Sequence, residues 1–485
     1  MNTPKQGDMP VCDFRKYGHE LVDFLADYFE NIENYPVLSK VRPGDIRKQI
    51  PASPPETGED FSEIIKDVEK VIMPGVTHWN HPGFHAYFAS TSSAPGIFAD
   101  LISSSFNANG MIWRTCPAST ELEMEVLGWL RDLIGLDKNF WGIIYDTASI
   151  STMHAIAAAR ENIPGYKLRE KGLTGSGVPK LRLYTSEHAH SSVEKGVIAL
   201  GMGIEGTRKI KTDENYRMIP AELEKAIKED IAAGWLPYCV VPTIGTTSIT
   251  SIDPVEEIAP ICKKYNLWMH VDGAYGGTAA IVPEMKHILK GTEHADSMVV
   301  NPHKWLFVPV DLSVLYTKKP DVLKRAFSLV ADYLKTAEDQ SVQNLMDYGV
   351  QLGRRFRSLK LWFVIRYFGR KGLEERLRDH IRLAKEFEKW IDGHKYFEKL
   401  APVPFSVVCF RAVPDRNMSQ EELNKFNESL MNEVNSTGNV FISHTVLKGV
   451  FTLRFVVSGI RTEERHVEKA KEIFDEALKR LMNKG

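Results

Sequence analysis

One lysine follows a short buried strand, at a place in the chain where reactive groups often gather. The apolar run Met298-Val-Val300 ends at Asn301-Pro302, and His303 and Lys304 come directly after it. A proline cannot donate a hydrogen bond to a neighbouring strand, so the strand ends there. Ligands of open α/β sheets bind beyond such ends, where a desolvated lysine can attack a carbonyl. Taken alone, however, Lys304 is more simply explained as a surface lysine after a turn.

Four other apolar runs are also followed directly by polar side chains. Residues 141–145 precede Asp146-Thr-Ala-Ser149, and three later runs precede His190, Thr246 and Asp272. The carboxyl ends of parallel strands lie along one edge of a sheet. These groups and Lys304 are therefore predicted to meet in one cleft.

The first of these strand ends combines small hydroxyl residues with the start of a helix. A helix that begins at Ala148–Ser149 exposes unpaired N–H groups, which suit a phosphate. Ordinary N-capping by Thr147 or Ser149 explains the same residues more simply when the site is considered alone. The Gly-rich segment 172–177 is not a nucleotide loop, because a strand and not a helix follows it.

Pyridoxal 5′-phosphate is a ligand that would use all of these groups. It needs an amine for its aldehyde, a carboxylate beside its pyridine nitrogen, a phosphate cradle and a flat group against its ring. Lys304, Asp272, the Ala148–Ser149 turn and His190 would supply them in that order. A metal site at His188 and His190 is the alternative, but no third ligand follows at a useful spacing, and we expect no metal.

Composition and charge exclude several other classes of protein. The chain has 485 residues, 43% hydrophobic and 26% charged, with a formal charge of −2. That balance argues against a nucleic-acid or membrane-surface partner. Five cysteines without CxxC spacing indicate a reducing compartment, and no apolar run is long enough to span a membrane. Residues 1–10 lack the apolar core of a signal peptide, so a cytoplasmic location is expected.

The pattern of elements predicts an α/β protein with two appendages. Residues 1–85 are expected to form a helical arm, with Asp13 as the N-cap of its first helix. Residues 86–375 alternate strands and helices, which predicts a mostly parallel sheet covered on both faces. Residues 376–485 read as a small α+β domain with a helix capped at Ser419 and a hairpin that turns at Lys448-Gly449.

Several motifs resemble the aromatic L-amino-acid decarboxylase family, the group II branch of pyridoxal-phosphate decarboxylases. They are His270-Val-Asp-Gly-Ala-Tyr275, Asn301-Pro-His-Lys-Trp305, Ala189-His-Ser-Ser192, Gly353-Arg-Arg-Phe-Arg-Ser-Leu-Lys360, Pro74-Gly-Val-Thr-His-Trp79 and Pro117-Ala-Ser-Thr-Glu-Leu-Glu123. The resemblance extends from about residue 13 to the C-terminus. It implies the fold-type I, aspartate-aminotransferase-like architecture and a homodimer with active sites at the subunit interface.

The resemblance also implies roles for individual residues. Those assigned to the cofactor are Ala148, Ser149, His190, Thr246, Asp272, Ala274, Asn301, His303 and Lys304. Those assigned to the substrate wall are Trp79, Tyr87 and Phe88. Tyr348 matches a mobile-loop tyrosine that supports protonation of the α-carbon after CO₂ leaves. Asn109 and Met111 stand where the family places apolar or aromatic residues of the neighbouring subunit.

The predicted reaction is the decarboxylation of an aromatic L-amino acid, with Lys304, Asp272, His190 and Tyr348 as catalytic residues. Tyrosine, tryptophan, DOPA and phenylalanine remain open as substrates. An aromatic aldehyde synthase is the nearest alternative, and Tyr348 argues against it, because a phenylalanine there favours oxidative deamination in this family. An aminotransferase and a non-catalytic cofactor-binding scaffold are further alternatives. Residues 334–348 are expected to be a mobile lid, and the arginines of a helix at 353–366 are expected to face solvent or an interface.

Overall fold

The computed structural model describes residues 7–175, 177–329, 338 and 341–483. The helices are α1 (Val11–Glu30), α2 (Asp45–Gln49), α3 (Phe61–Asp67), α4 (Ala94–Phe106), α5 (Pro117–Ile134), α6 (Ala148–Glu161), α7 (Leu168–Lys171), α8 (Ser192–Ala199), α9 (Pro220–Ala232), α10 (Val255–Lys264), α11 (Pro302–Trp305), α12 (Pro320–Phe327), α13 (Ser358–Gly393), α14 (Gln420–Ser436) and α15 (Glu464–Met482). The strands are β1 (Phe84–His85), β2 (Trp141–Tyr145), β3 (Leu181–Ser186), β4 (Thr207–Ile210), β5 (Leu236–Val241), β6 (Trp268–Asp272), β7 (Ser297–Val300), β8 (Ser313–Thr317), β9 (Phe397–Lys399), β10 (Val407–Ala412), β11 (Phe441–Leu447) and β12 (Val450–Val456).

The larger sheet has seven strands in the order β2-β8-β7-β6-β5-β3-β4. The strands β4, β3, β5, β6 and β7 pair in parallel. Only β8 runs against its neighbours, β2 and β7. Helices precede or follow most of these strands, as expected for crossover connections between parallel strands. The predicted α/β architecture with a mostly parallel sheet is confirmed.

Apolar side chains on the two faces of this sheet belong to two separate clusters. In β2, Ile144 packs with α5 in one cluster, whereas Ile143 and Tyr145 pack with α6 and α8 in the other. In β6, Met269 and Val271 join the first cluster, and Trp268 joins the second. Successive strand side chains point to opposite faces. Burial on both faces therefore makes these strands mostly apolar and places most of their polar groups at the ends, with His270 in the middle of β6 as an exception.

The C-terminal part of the chain forms a second sheet, in the order β1-β11-β12-β10-β9. The predicted hairpin is present as β11 and β12, and Ser419 caps α14 in a capping box with Glu422. The edge strand β1 comes from far along the chain, because Phe84 and His85 pair in parallel with Phe441 and Ile442. The division at residues 85 and 375 stays a prediction; residue 375 lies inside α13, six residues beyond the kink at Gly369.

Two helix boundaries differ from the sequence expectation. Helix α1 begins at Val11, and Pro10 rather than Asp13 occupies the N-cap position. The Asp13 carboxylate therefore lies in the first turn, where its negative charge interacts favourably with the helix dipole and stabilises the helix. The helix expected at 353–366 begins only at Ser358, after a segment without regular structure.

Of the three arginines before α13, Arg355 is exposed, as expected for a solvent or interface face, but Arg354 and Arg357 are not. Arg354 is buried, and its Nη2 donates to Glu123 Oε1 at 2.7 Å and to the carbonyl of Ile144 at 2.8 Å. Arg357 forms an ion pair with Asp311 at 2.7 Å. A guanidinium presents several donors in a fixed plane, which suits it to join α5, β2 and the chain before α13.

No helix among the described residues has the length and apolar character needed to cross a bilayer. Residues 334–337, 339 and 340 of the expected lid lie outside the described residues. Its C-terminal end is described: Leu345–Tyr348 forms a buried 3₁₀ turn.

Candidate active site

A cavity of about 150 Å³ lies at the carboxyl edge of the larger sheet. Its lining comes from the ends of β2, β3, β5, β6 and β7, as expected for an open α/β sheet. The lining residues are Phe88, Thr147, Ala148, Ser149, His190, Ser192, Gly245, Thr247, Asp272, Ala274, Tyr275, Asn301, His303 and Lys304. The structure thus brings together the predicted groups from separate strands, with one exception, Thr246.

Lys304 enters this cavity from α11, a single turn that begins where Pro302 ends β7. Its backbone N–H donates to the Asn301 carbonyl at 2.9 Å, which fixes the turn. Its Nζ lies 5.4 Å from the centre of the Phe88 ring. Burial lowers the pKa of Lys304, and the negative charge of Asp272 opposes that shift. A lowered pKa increases the neutral, nucleophilic fraction of the amine, which is what attack on an aldehyde carbon requires.

Asp272 ends β6 and is buried. Its backbone is held by the segment that follows β5, because its N–H donates to the Pro242 carbonyl and its carbonyl accepts from the Ile244 N–H. Its Oδ1 accepts the N–H of Ala274 at 3.1 Å. No other hydrogen bond to this carboxylate occurs in the described part of the chain, so Oδ2 remains available to a ligand in the cavity.

The proton position on His190 is fixed by Ser192. The Ser192 backbone N–H donates to His190 Nδ1 at 3.1 Å, and the Ser192 hydroxyl lies 2.8 Å from the same nitrogen. A nitrogen that accepts an N–H cannot carry a proton itself in the neutral ring, so the proton lies on Nε2. Burial, together with the charge of Lys304, lowers the pKa of His190 and keeps the ring neutral at physiological pH.

Asn301 and His303 form the part of the lining next to Lys304. The N–H of Leu312 donates to His303 Nδ1 at 3.0 Å, and burial lowers the pKa of His303 to about 4. The neutral ring therefore carries its proton on Nε2, 3.4 Å from the Asn301 amide. Asn301 Oδ1 is buried without a partner among the described residues. Rotating the amide by 180° gives the Nε2–H an acceptor and leaves the Asn301 NH₂ available to a ligand.

The start of α6 provides hydrogen-bond donors that the protein does not use. Thr147 occupies the N-cap position, but its side chain makes no capping hydrogen bond. In the described chain, no acceptor meets the N–H of Ala148 or Ser149, and both residues line the cavity. Two unpaired N–H groups at the positive end of a helix dipole suit a phosphate. With the amine of Lys304 and the open oxygen of Asp272, they match the functional groups of pyridoxal 5′-phosphate.

Residues 43–413 match a family model described as the pyridoxal-dependent decarboxylase conserved domain. The chain belongs to the pyridoxal-dependent decarboxylase family. Members of this family are carboxy-lyases that depend on pyridoxal 5′-phosphate, so the expected enzyme class and cofactor are confirmed.

Comparison with individual proteins extends this family likeness over nearly the whole chain. Tyrosine decarboxylase 2 of Narcissus pseudonarcissus is 39% identical, covering 96% of this chain and 94% of its own length. Phenylacetaldehyde synthase of Arabidopsis thaliana is 39% identical, covering 97% of this chain and 96% of its own. The crystal structure of Oryza sativa TDC with PLP and tryptamine superposes with a TM-score of 0.95 at 36% identity, covering 99% of this chain and 100% of that one. The fold-type I architecture is thereby confirmed.

Four residues predicted for the site of this decarboxylase family member lie outside the cavity lining. Thr246 is buried, and its Oγ1 accepts the N–H of Ser251 at 3.0 Å, so its neighbours Gly245 and Thr247 line the cavity instead. Trp79 and Tyr87 stack on each other at 5.9 Å and are 39% and 52% exposed. Only Phe88 of the predicted aromatic wall reaches the cavity within this chain.

Tyr348 is the fourth of these residues, and it is buried in a different part of the molecule. Its ring packs on Trp141 at 4.6 Å, and its carbonyl accepts the hydroxyl of Tyr145. Burial raises the pKa of Tyr348 to about 12. A phenol held in this apolar cluster does not reach the cavity of its own chain, so its role as proton donor stays a prediction.

Three residues that shape this decarboxylase pocket were not predicted from the sequence. Ser192 fixes the tautomer of His190, and its place two residues later in the chain was the available signal. Tyr275 stacks on Phe88 at 3.8 Å and on Trp305 at 4.7 Å, and so supports the wall beside Lys304. Arg454 of β12 donates to the carbonyls of Thr247 and Ser248 at 2.9 and 2.7 Å. A local sequence pattern could not identify Arg454 as part of the site, because the residues to which it donates are distant in sequence.

Proposed function

We propose that this family member decarboxylates an aromatic L-amino acid to the corresponding arylethylamine and CO₂. The observation that carries the proposal is the single cavity in which a desolvated Lys304, the open oxygen of Asp272 and the Nε2–H of His190 face one another beside the ring of Phe88. The aromatic substrate class is supported by relatives named tyrosine decarboxylase and tryptophan decarboxylase, at 39% and 40% identity.

Each cavity group has a distinct task in this reaction. When bound, pyridoxal 5′-phosphate supplies an electron-accepting ring for the charge left on the α-carbon as CO₂ departs. Lys304 would hold the aldehyde end of the cofactor through its amine, and Asp272 would hold a proton on the pyridine nitrogen. The N–H groups of Ala148 and Ser149 and the NH₂ of Asn301 would hold the phosphate, and the Nε2–H of His303 would keep the Asn301 amide in the orientation that this requires.

His190 has both a flat ring and a proton available on one side. Its Nδ1 is occupied by Ser192, so the ring can rest against the cofactor without a charge of its own. Its Nε2–H is the only proton of the neutral ring that a substrate in the cavity could meet. We assign His190 both contact with the cofactor ring and proton transfer to the α-carbon.

Decarboxylation coupled to oxidative deamination, which consumes O₂ and releases an aldehyde, CO₂, ammonia and hydrogen peroxide, is the second candidate reaction, because phenylacetaldehyde synthase is among the relatives at 39% identity. Incubating the holoenzyme separately with L-tyrosine, L-tryptophan, L-DOPA and L-phenylalanine distinguishes the reactions. Amine and CO₂ in equal amounts support the proposal. Aldehyde with hydrogen peroxide, a keto acid, or no product would instead identify the aldehyde synthase, an aminotransferase or a non-catalytic scaffold.

We also propose that the enzyme is a homodimer. Helix α1 has no buried residue, although Phe14 and Leu21 lie on its apolar side. The aromatic residues Trp79 and Tyr87 are likewise exposed. Large apolar surfaces of this kind are typical of subunit interfaces. Sedimentation equilibrium should give twice the chain mass of 54.9 kDa.

All five cysteines are unpaired, which supports a reducing compartment such as the cytoplasm.

A further inference from the structure

Asp146, the residue before the N-cap of α6, collects three hydrogen bonds on its carboxylate. Its Oδ1 accepts the backbone N–H of Thr147 at 2.5 Å and the Thr147 hydroxyl at 3.1 Å. Its Oδ2 accepts from Nε2 of Gln351 at 3.0 Å. Asp146 does not line the cavity, so its effect on a ligand there must pass through the residues that it holds.

The contact with Thr147 changes how α6 begins. A threonine at the N-cap ordinarily accepts the N–H of the second or third helical residue with its own hydroxyl. In this helix the third N–H, of Ile150, bonds to the Thr147 carbonyl at 3.1 Å. The hydroxyl is donated to Asp146 and makes no capping bond. The second N–H, of Ser149, is therefore left without its usual intrahelical acceptor.

The contact with Gln351 fixes the same turn to a second segment of the chain. That segment is anchored just before Gln351, because Tyr145 donates to the Tyr348 carbonyl and the Val350 N–H donates to Nε2 of His154 at 3.4 Å. Asp146 thus lies between this anchored segment and the N-terminal end of α6. Contacts on both sides limit the movement of the Asp146 carboxylate.

We propose that Asp146 is a positioning residue for the cofactor phosphate. It draws the Thr147 hydroxyl away from α6, so that the N–H groups of Ala148 and Ser149 stay available to the phosphate. Without this carboxylate, the hydroxyl turns to the Ser149 N–H and competes with the ligand. The inference rests on the proposed placement of the phosphate at this helix end.

The test is the affinity of the full-length apoprotein for pyridoxal 5′-phosphate, measured by equilibrium dialysis. Asp146→Ala should weaken binding by about tenfold, which is the range of an N-cap hydrogen bond that now competes with the ligand. Asp146→Asn keeps an acceptor for Thr147 and should stay within about twofold. In a Thr147→Ala background, Asp146→Ala should have almost no further effect, because the competing hydroxyl is gone.

Phosphate-free pyridoxal separates positioning from general damage to the fold. Asp146→Ala should leave its affinity unchanged, whereas a distorted pocket would weaken both ligands. Equal weakening of both ligands, or an undiminished effect in the Thr147→Ala background, would overturn the role of Asp146.

Ala148→Pro removes one phosphate donor directly and therefore tests the placement itself. If it leaves the affinity for pyridoxal 5′-phosphate unchanged, the phosphate lies elsewhere and the inference falls with that placement. If Ala148→Pro weakens binding and Asp146→Ala does not, only the role of Asp146 is overturned.

Discussion

The backbone N–H of Ser192 donates to Nδ1 of His190 at 3.1 Å, and this bond leaves the imidazole proton on Nε2. The bond uses the main chain and not only the hydroxyl, so the tautomer does not depend on the side chain of residue 192. The two residues are two positions apart, where the turn after β3 leads into α8, which begins at Ser192. The geometry that prepares His190 for catalysis is therefore built into the fold.

Ser192→Ala should reduce kcat by less than about tenfold, because the backbone N–H still fixes the tautomer. His190→Phe keeps a flat ring but has no proton to give, and should lower kcat by about a hundredfold or more. Cofactor affinity should change little in either variant, and steady-state kinetics with equilibrium dialysis measure both. Similar losses of kcat in the two variants would contradict the assignment of the proton to His190.

Lys304→Ala should lower turnover by more than about a thousandfold and remove the visible absorbance of the lysine-bound cofactor. The physical reason is that no other amine lines the cavity within the described chain. An absorbance spectrum of the variant mixed with pyridoxal 5′-phosphate checks this directly. Lys360→Met, at a buried lysine outside the cavity, is the control. An unchanged spectrum for Lys304→Ala would disprove the assignment of the cofactor anchor.

Ala148→Pro should weaken binding of pyridoxal 5′-phosphate by about tenfold or more, because it removes a donor to a charged ligand. Proline is favoured at the first helical position, and Thr147 has the extended conformation that a following proline needs, with φ −129° and ψ 159°. The fold should therefore remain intact. Gln420→Pro is the matched control, because it lies at the first position of α14 after Ser419 with φ −65° and ψ 161°. That variant should bind the cofactor as the parent does.

Tyr348→Phe should keep kcat within about threefold of the parent, with amine as the main product. Loss of a proton donor costs about a hundredfold to ten-thousandfold, and the buried Tyr348 does not reach the cavity of its own chain. Chromatography of amine and aldehyde products measures the ratio of the two reactions. The same product ratio is measured for Tyr333→Phe, a tyrosine variant in the part of the chain that the structure does not describe. A switch to aldehyde in Tyr348→Phe would show that Tyr348 acts in catalysis after all.

The enzyme should lose stability as pH falls below about 6.5. Burial lowers the pKa of six histidines to about 3 or 4, so the unfolded chain binds more protons than the folded chain between those values and 6.5. Each then contributes up to about 1.4 kcal/mol per pH unit to the fall in the free energy of unfolding. The six are His81, His85, His154, His270, His303 and His380. Urea midpoints measured from pH 8 to pH 5 should decline accordingly.

His85→Asn provides the control for this pH dependence. The His85 ring bonds to the Val456 carbonyl at 2.8 Å through Nδ1, and an asparagine amide can donate there without titrating. In this variant the free energy of unfolding should fall less steeply with decreasing pH, by the contribution of about one proton. This difference in slope is expected whatever the change in absolute stability. A parent enzyme equally stable at pH 8 and pH 5 would contradict the prediction.

The sequence predicted five of the seven strands of the larger sheet, because each of the five is a short, continuously buried apolar run; β8 is buried as well but was not predicted. Residues 141–145, 181–184, 238–242, 267–271 and 298–300 all lie in or at the edge of strands β2, β3, β5, β6 and β7. The edge strand β4 was not predicted, since Thr207-Arg-Lys-Ile210 has the polar composition of a strand with one exposed side. The strand β1 was not predicted either, because its two residues owe their conformation to pairing with residues 441 and 442.

The same contrast, between local sequence pattern and contacts with distant segments, explains which site residues were predicted correctly. Lys304, Asp272 and His190 were found because each lies at the end of its own strand or within four residues of it. Thr246 was assigned one residue away from the lining, since alternate residues of a turn face opposite directions and sequence does not show which. The burial of Tyr348 depends on Trp141 and Tyr145, which lie about two hundred residues earlier in the chain. Motif spacing carries no information about such contacts.

The pairing of Phe84 and His85 with Phe441 and Ile442 has a consequence for how the molecule folds. A contact between segments so far apart in sequence requires closure of a very long loop, which is slow and entropically costly. During synthesis the first strand must wait for nearly the whole chain before it finds its partner. Phe88 follows that strand by three residues, so this wall of the pocket should be among the last parts to order. A C-terminal truncation before β11 should therefore remove cofactor binding along with the small sheet.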